Sequence, residues 1–268
     1  RYKNTSLSMI SGLLLCAVSA VGLQGCGSGG SDAAPISPVQ PPVQVVEDVV
    51  VDKIALGYNS CAGFSDGTIK CWGGDGDVAS LGLERSNSPM GDGPNEMGDN
   101  LPAINLGSAV TPQQVVSGGG FSCALLNLGK VKCWGSNYAG ALGTASLARA
   151  GDESGEMGDV LPFVELGTGR TALAITAGTS HACVLLDDNS VKCWGSNRYG
   201  QLGLGDTAIR GDDTGEMGDN LLAIDLGTGR STQVVSAGYE YTCALLDNGS
   251  VKCWGSNRYG QLGLGEKQ

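Results

Sequence analysis

Helical periodicity is absent from this chain. After one apolar run at 9–23, apolar residues come in short stretches between glycine-rich turns. β-Branched runs at 49–54, 115–116, 174–176 and 234–236 each stand ahead of a hairpin-like segment. Proline-bearing or apolar runs at 101–106, 161–166 and 221–226 lie between successive segments. About four short strands per sixty residues, joined by such turns, predict an all-β chain built like a β-propeller, with four antiparallel strands in each of about four blades.

The pattern is periodic. Residues 251–265 repeat 191–205 without change, and looser copies run through 123–143 and 61–83. Trp72, Trp134, Trp194 and Trp254 are 62, 60 and 60 residues apart. One supersecondary unit is therefore copied in tandem, over units of about 45–107, 108–167, 168–227 and 228–268. Each copy holds two cysteines ten residues apart: Cys61 with Cys71, Cys123 with Cys133, Cys183 with Cys193, and Cys243 with Cys253. Six residues after the first cysteine comes Gly67, Gly129, Asn189 or Gly249, residues that tolerate the left-handed position of a three-residue hairpin loop. With Asp247-Asn248-Gly249 as that loop, Leu245 faces Val251 and Cys243 faces Cys253. Opposed strand residues have Cβ atoms about 4.5–5.5 Å apart, which strand twist can close to a disulfide. Each bridge would be worth about 2.5–3 kcal/mol in the chain-entropy model. The rival for paired cysteines is a metal site, but zinc pairs usually come two to four residues apart and with histidine.

The motif Gly-x-x-x-x-Cys-Ala-Leu-Leu-Asp-x-Gly-x-Val-Lys-Cys-Trp-Gly-x-Asn-x-Tyr-Gly-Gln-Leu-Gly-Leu-Gly resembles the regulator-of-chromosome-condensation repeat in its cysteine-rich bacterial form. It is clearest at 178–205 and 238–265, good at 118–143 and degraded at 57–83, where Asp75-Gly76-Asp77 replaces Ser-Asn-x. The resemblance covers nearly everything after residue 41 and implies a β-propeller of four-stranded blades. Such rings usually close with seven blades and four hairpins are present, so a truncated or open arc is expected. The rival is a closed four-blade ring completed by Pro41-Pro42-Val43-Gln44-Val45.

The start of the chain adds a location. Arg1 and Lys3 precede the fifteen-residue apolar run, which has the length of a signal-peptide core rather than of a membrane span. Leu23-Gln24-Gly25-Cys26 looks like a bacterial lipobox, so residues 1–25 read as a lipoprotein signal peptide and Cys26 as the acylated N-terminus. The eight later cysteines pair among themselves and leave Cys26 over. Residues 26–44 are Gly/Ser-rich and then Pro-rich, a tether to a repeat domain at 45–268. Arg1 and Lys3 are two of sixteen basic residues set against twenty-seven acidic ones, so the part after Cys26 has a net charge of −13. Such a surface argues against nucleic acid as partner. Four disulfides agree with an oxidising compartment.

Three acidic loops follow the first three units and share Gly-Asp, three variable residues and Glu-Met-Gly-Asp. Clustered carboxylates can wrap calcium, which makes Asp92, Glu96, Asp99, Asp152, Glu156, Asp159, Asp212, Glu216 and Asp219 the candidate ligands. The alternative is a solvated loop with Met97, Met157 and Met217 packed inward. His181 is the single histidine and stands where other units have Ser60, Ser122 and Tyr241 or Thr242. One histidine in one unit of four reads as a structural residue rather than a catalytic base, and no enzyme is expected. The expected role is a lipid-anchored cell-envelope module, periplasmic or on the cell surface, that binds a protein partner through loops at one face. A calcium-dependent or carbohydrate-binding adhesin and an inhibitor of a secreted or periplasmic enzyme are the alternatives. Residues that differ between units carry specificity, which selects His181, Arg198, Tyr239, Glu240, Tyr241 and Arg258.

Overall fold

A computed structural model describes residues 49–74, 79–85 and 89–265. The signal peptide at 1–25, Cys26, the tether at 26–44, the segment at 41–45 and Asp75-Gly76-Asp77 lie outside the described residues. Among the described residues no helix is long and apolar enough to cross a membrane.

The described residues form four antiparallel sheets of three strands. They are β1 (Val51–Leu56), β2 (Asn59–Phe64) and β3 (Ile69–Gly73); β4 (Pro112–Ser117), β5 (Phe121–Leu126) and β6 (Val131–Gly135); β7 (Ala172–Ala177), β8 (His181–Leu186) and β9 (Val191–Gly195); and β10 (Thr232–Ala237), β11 (Tyr241–Leu246) and β12 (Val251–Gly255). In each sheet the strands lie in sequence order, as expected for hairpin connections. Gly67, Gly129, Asn189 and Gly249 all have positive φ. Asp66, Asp188 and Asn248 accept bonds from the amide and hydroxyl of Thr68, Ser190 and Ser250, which fixes the turn from its own side chains.

Register follows from the turn. Leu245 faces Val251, and the cysteines face one another in every hairpin: Cys61 and Cys71, Cys123 and Cys133, Cys183 and Cys193, Cys243 and Cys253. All four pairs are disulfide-bonded, with Cα atoms 4.1 Å apart. Cys71, Cys133 and Cys193 are thus bridge partners buried in the hairpins, and the metal alternative for the paired cysteines falls away.

Among the described residues no blade forms its fourth strand. Runs 101–106, 161–166 and 221–226 are extended, yet each gives the hairpin one backbone bond: Ile104 N to Ile69 O, Val164 N to Val131 O and Ile224 N to Val191 O, at 2.8–2.9 Å. Pro102 and Pro162 have no N–H for a ladder. The carbonyls of Leu106 and Leu166 are taken by side chains, the Nζ of Lys132 and Lys192, at 2.9 and 3.0 Å. Burial of Leu101, Ile104 and Leu106 and of their counterparts holds these runs in place. A second remnant of fourth-strand pairing survives as the single bridges Gly73–Met90, Gly135–Ala150 and Gly195–Arg210.

The core lies between units. Ile69 shares a cluster with Val115 of the next unit, Val131 with Ile175, and Val191 with Val235. Tryptophan crosses the same boundaries. Trp134 donates its indole N–H to Ser80 O, Trp194 to Ala141 O and Trp254 to Gln201 O, each at 3.0 Å and each to the preceding unit. The ring rests on the glycine of the preceding Leu-Gly step. A Cβ at Gly82, Gly143 or Gly203 would stand 2.9, 2.9 or 2.7 Å from ring atoms, and all three have positive φ. Among the described residues the end sheets have a neighbour on one side only. Ile54 is 70% exposed, while Val115, Ile175 and Val235 at the same register are buried. Val251 is 63% exposed, while Ile69, Val131 and Val191 are buried. Among the described residues the row of sheets is open at both ends.

The seat can be separated from backbone strain. Gly143 and Gly205 both have positive φ, and a Cβ meets nothing within 4 Å at Gly205 but the Trp194 ring at Gly143. Gly205→Ala should cost about 1 kcal/mol and Gly143→Ala about 1–3 kcal/mol more. Equal urea midpoints for the two variants would contradict the seat.

Candidate interaction surface

Two sets of turns meet at one end of the four sheets. The first set joins the initial two strands of each sheet, at 57–58, 118–120, 178–180 and 238–240. The second leaves the third strand, at 136–140, 196–200 and 256–260. Backbone bonds tie them together: Ser136 N to Gly120 O, Ser196 N to Ser180 O and Ser256 N to Glu240 O, at 2.7–2.8 Å. Glycine permits the crowding in the first set. A Cβ at Gly118, Gly178 or Gly238 would meet the ring of Phe121, His181 or Tyr241 at 2.2–2.3 Å. Gly118 and Gly178 also lie against the glycine carbonyl of the following unit. Asparagine shapes the second set. Asn137 and Asn197 are buried, donate to carbonyls at 146, 148, 206 and 208, and accept the amides of Leu142 and Leu202.

What these turns hold outward is aromatic and basic. Tyr58, Tyr138, Tyr239 and Tyr259 are exposed, the last by 85%, and Tyr199 is half-buried. The guanidinium of Arg258 lies 5.0 Å from the centre of the Tyr199 ring, and that of Arg198 lies 5.6 Å from it. A groove of about 410 Å³ beside Tyr138 is lined by Leu147, Arg149, Ile209 and Asp212. A second, of about 510 Å³, runs over the glycine turns from Tyr58 to Tyr239. All six described tyrosines sit in these turns or, for Tyr241, at the start of the strand beside them. Burial in the groove region raises the Asp212 carboxyl, with Glu216 adding to the shift.

Of the residues selected by sequence, Arg198 and Arg258 are brought together on Tyr199, and Tyr239 and Glu240 lie at the same end. Tyr241 is half-buried over Gly238. His181 is corrected. It is fully buried, and it pairs with Gly195 as Asn59, Phe121 and Tyr241 pair with Gly73, Gly135 and Gly255. Ser60, Ser122 and Thr242 are instead counterparts of Ala182. His181 Nε2 is 3.0 Å from the Thr242 hydroxyl, which itself donates to Gln201 O at 2.9 Å. The imidazole therefore carries its proton on Nε2, and Nδ1 has no partner. Burial pushes its pKa down to about 4.

The calcium ligand sets are also corrected. Glu96 Oε2 accepts the amides of Gly91, Asp92 and Gly93, and Glu156 those of Gly151, Asp152 and Glu153. Glu216 accepts those of Gly211 and Asp213. These carboxylates close their own loops from within. The amides of Gly93 and Gly91 hold the Glu96 carboxyl below its usual range. Asp159 and Asp219 point elsewhere, to the amide and hydroxyl of Ser108 and Thr168. Asp92 and Asp99 are exposed, while burial raises the Asp152 carboxyl. Among the described residues no three His, Cys, Asp or Glu side chains gather as a metal site. Met157 and Met217 are buried as anchors, and Met97 is exposed.

A model of the regulator of chromosome condensation (RCC1) repeat matches residues 113–141, 173–201 and 233–261. The chain carries the RCC1 repeat at these three places. The Ultraviolet-B receptor UVR8 of Arabidopsis thaliana is 30% identical over 220 residues, 80% of this chain and 43% of that protein. The human E3 ubiquitin-protein ligase HERC2 is 25% identical over 242 residues, 89% of this chain and 4% of that one. The chain thus spans less than half the length of these curated relatives. Among solved structures, a chain of the complex of Kap60 with yeast RCC1 (Prp20) matches with a TM-score of 0.59 at 20% identity, over 80% of this chain and 45% of that one. Human WBSCR16 matches with a TM-score of 0.61 at 19% identity, over 83% and 53%. The fold is that of an RCC1-type β-propeller.

Sequence reasoning passed over Tyr58, Tyr138, Tyr199 and Tyr259. The last two belong to the unchanged Ser-Asn-Arg-Tyr-Gly step of the RCC1 repeat and read there as scaffold. Their positions in turns ahead of glycine were the available signal.

The buried imidazole makes stability depend on pH. Its pKa is about 4 folded against 6.5 unfolded, so between those values the unfolded chain binds a proton that the folded chain refuses. Stability should fall as pH drops through this window, by up to about 3 kcal/mol. His181→Phe, the residue its counterpart Phe121 already is, should remove that component. Urea titrations of both proteins at pH 4.5 and 7 check it, and parallel pH profiles would contradict it.

Proposed function

We propose that this chain is a non-catalytic protein-interaction module, held at a bacterial cell envelope by a lipid on Cys26. The observation that carries the binding role is the collection of tyrosines with Arg198 and Arg258 at one end of the sheets. Tyrosine and arginine dominate the energetics of protein interfaces, because each offers a large contact area with few rotatable bonds or a rigid donor fork. They are concentrated here on a chain whose formal net charge is −11. RCC1-type folds supply protein-binding examples: yeast RCC1 (Prp20) is bound to Kap60 in its crystal structure, and Prp20p of Saccharomyces cerevisiae has binding properties towards Gsp1p and histones.

The net charge argues for a protein and against nucleic acid as the partner. The lipobox-like Leu23-Gln24-Gly25-Cys26 supports the anchor, and the four disulfides support an oxidising compartment, periplasmic or outside the cell. The absence of catalysis rests on His181. The single histidine has no solvent access, and the hydroxyl beside it already donates to a backbone carbonyl.

Immobilised oxidised chain should recover one protein from a cell-envelope extract, with calcium or with chelator alike. Replacing Arg258 and Tyr259 together by Ala should weaken that capture at least tenfold, while Arg230→Ala, at the far end of the same sheet, should not. Capture that survives the double variant, or that needs calcium, would overturn the assignment. Cys26→Ser should move the expressed protein from the detergent phase to the aqueous phase, and unchanged partition would remove the anchor.

A further inference from the structure

One carboxylate at the tyrosine-bearing end lacks the cation that its counterpart has. In the second unit Arg149 lies 3.6 Å from Asp152, three residues later, and pairs with it. In the third unit the repeat brings Ile209 and Asp212 to those positions, so a hydrocarbon stands where the arginine was. The next cation along the chain, Arg210, is turned to Asp206 at 2.7 Å. Among the described residues no lysine or arginine pairs with Asp212. Burial raises its carboxyl, and the negative charges of Glu216 and Asp213 raise it further.

Asp212 lines the groove of about 410 Å³ together with Tyr138, Leu147 and Ile209. Arg149 lines it too, with its charge met by Asp152. The second and third units are tied together beside this groove. Ala145 N donates to Gly211 O at 3.0 Å, and a Cβ at Gly140 would stand 2.5 Å from Asp212 N. The groove is thus formed before anything enters it. Apolar walls, the exposed Tyr138 ring and a carboxylate without a cation suit a side chain with a hydrocarbon stem and a cationic head.

We infer, on the reading of this chain as a protein-interaction module, that the groove receives a lysine or arginine side chain presented by the partner. The stem lies along Leu147 and Ile209, and the charge rests on Asp212. The partner's cation takes the place that Arg149 holds beside Asp152. An ion pair that the second unit makes within itself is completed here from outside.

The probe is a capped glycine pentapeptide with one central lysine, titrated into the oxidised chain carrying Cys26→Ser and followed by amide shifts in NMR. Shifts of Tyr138, Leu147, Ile209 and Asp212 should saturate. Norleucine in place of the peptide's lysine, which keeps the stem and drops the charge, should weaken binding at least tenfold, and Asp212→Asn should do the same. Ile209→Arg should abolish binding, because it supplies the cation from within and copies the residue that the second unit already carries. Arg230→Ala, at the far end of the sheets, should leave binding unchanged. No saturable shift, or equal binding of the norleucine peptide, overturns the inference even where capture from the envelope extract succeeds. Full binding by Ile209→Arg overturns it as well. Saturation by the lysine peptide beside a failed capture supports the groove's chemistry and counts against the module reading alone.

Discussion

The structure depends on an indole that leaves its own unit. Each of Trp134, Trp194 and Trp254 sits in a hairpin closed by a disulfide, yet its N–H is satisfied by a carbonyl of the preceding unit and its ring by a glycine there. A buried indole without an acceptor would cost the desolvation of that donor. The hairpin is therefore complete only when the unit before it is folded. Stability then resides at boundaries, as in other repeat proteins whose neighbours supply each other's core. Trp134 and Trp194, each between two described sheets, are fully buried, whereas Trp72 and Trp254 are half-buried.

Most polar residues of the repeat serve the same end. The lysine between valine and cysteine clamps the extended run beside the hairpin. Lys132 is buried with its ammonium on Leu106 O and Gly158 O and over the Phe163 ring, so its charge is met although burial lowers its pKa. The acidic loops fold around a glutamate that gathers backbone amides, and in the second and third loops the last aspartate pins a turn fifty-one residues earlier in the chain. With these groups engaged internally, the tyrosine-bearing turns are left as the surface on which binding energy can concentrate.

Local features were legible in the sequence because one short-range cause fixes each of them. The spacing of Cys61 from Cys71, Cys123 from Cys133 and Cys183 from Cys193, the glycine or asparagine at the turn and the Asx side chains determine the hairpin and its register without reference to the rest of the fold. The missing ladder of the fourth strand was not legible, since it depends on Lys132 reaching across to a carbonyl that a strand neighbour would otherwise take. Nor was the register of His181, because the first unit is one residue shorter between its glycine and its cysteine and shifts the comparison. Carboxylates at calcium-like spacing look alike whether they converge or face away, and only the bonds of Asp159 and Asp219 to Ser108 and Thr168 distinguish the two. The tyrosine surface was hidden for a different reason. Repetition marks a residue as scaffold, while exposure is a property of the assembled row.

Hydrogen exchange on Trp194→Phe tests the central claim most directly. The substitution keeps an aromatic ring and removes one bond, from Trp194 Nε1 to Ala141 O across a single boundary. If stability resides at boundaries, amides should lose protection on both sides of it, in β5 and β6 as well as in β8 and β9. Loss confined to β8 and β9, the hairpin that carries the substitution, would show that each disulfide-closed unit stands on its own, and would contradict the account.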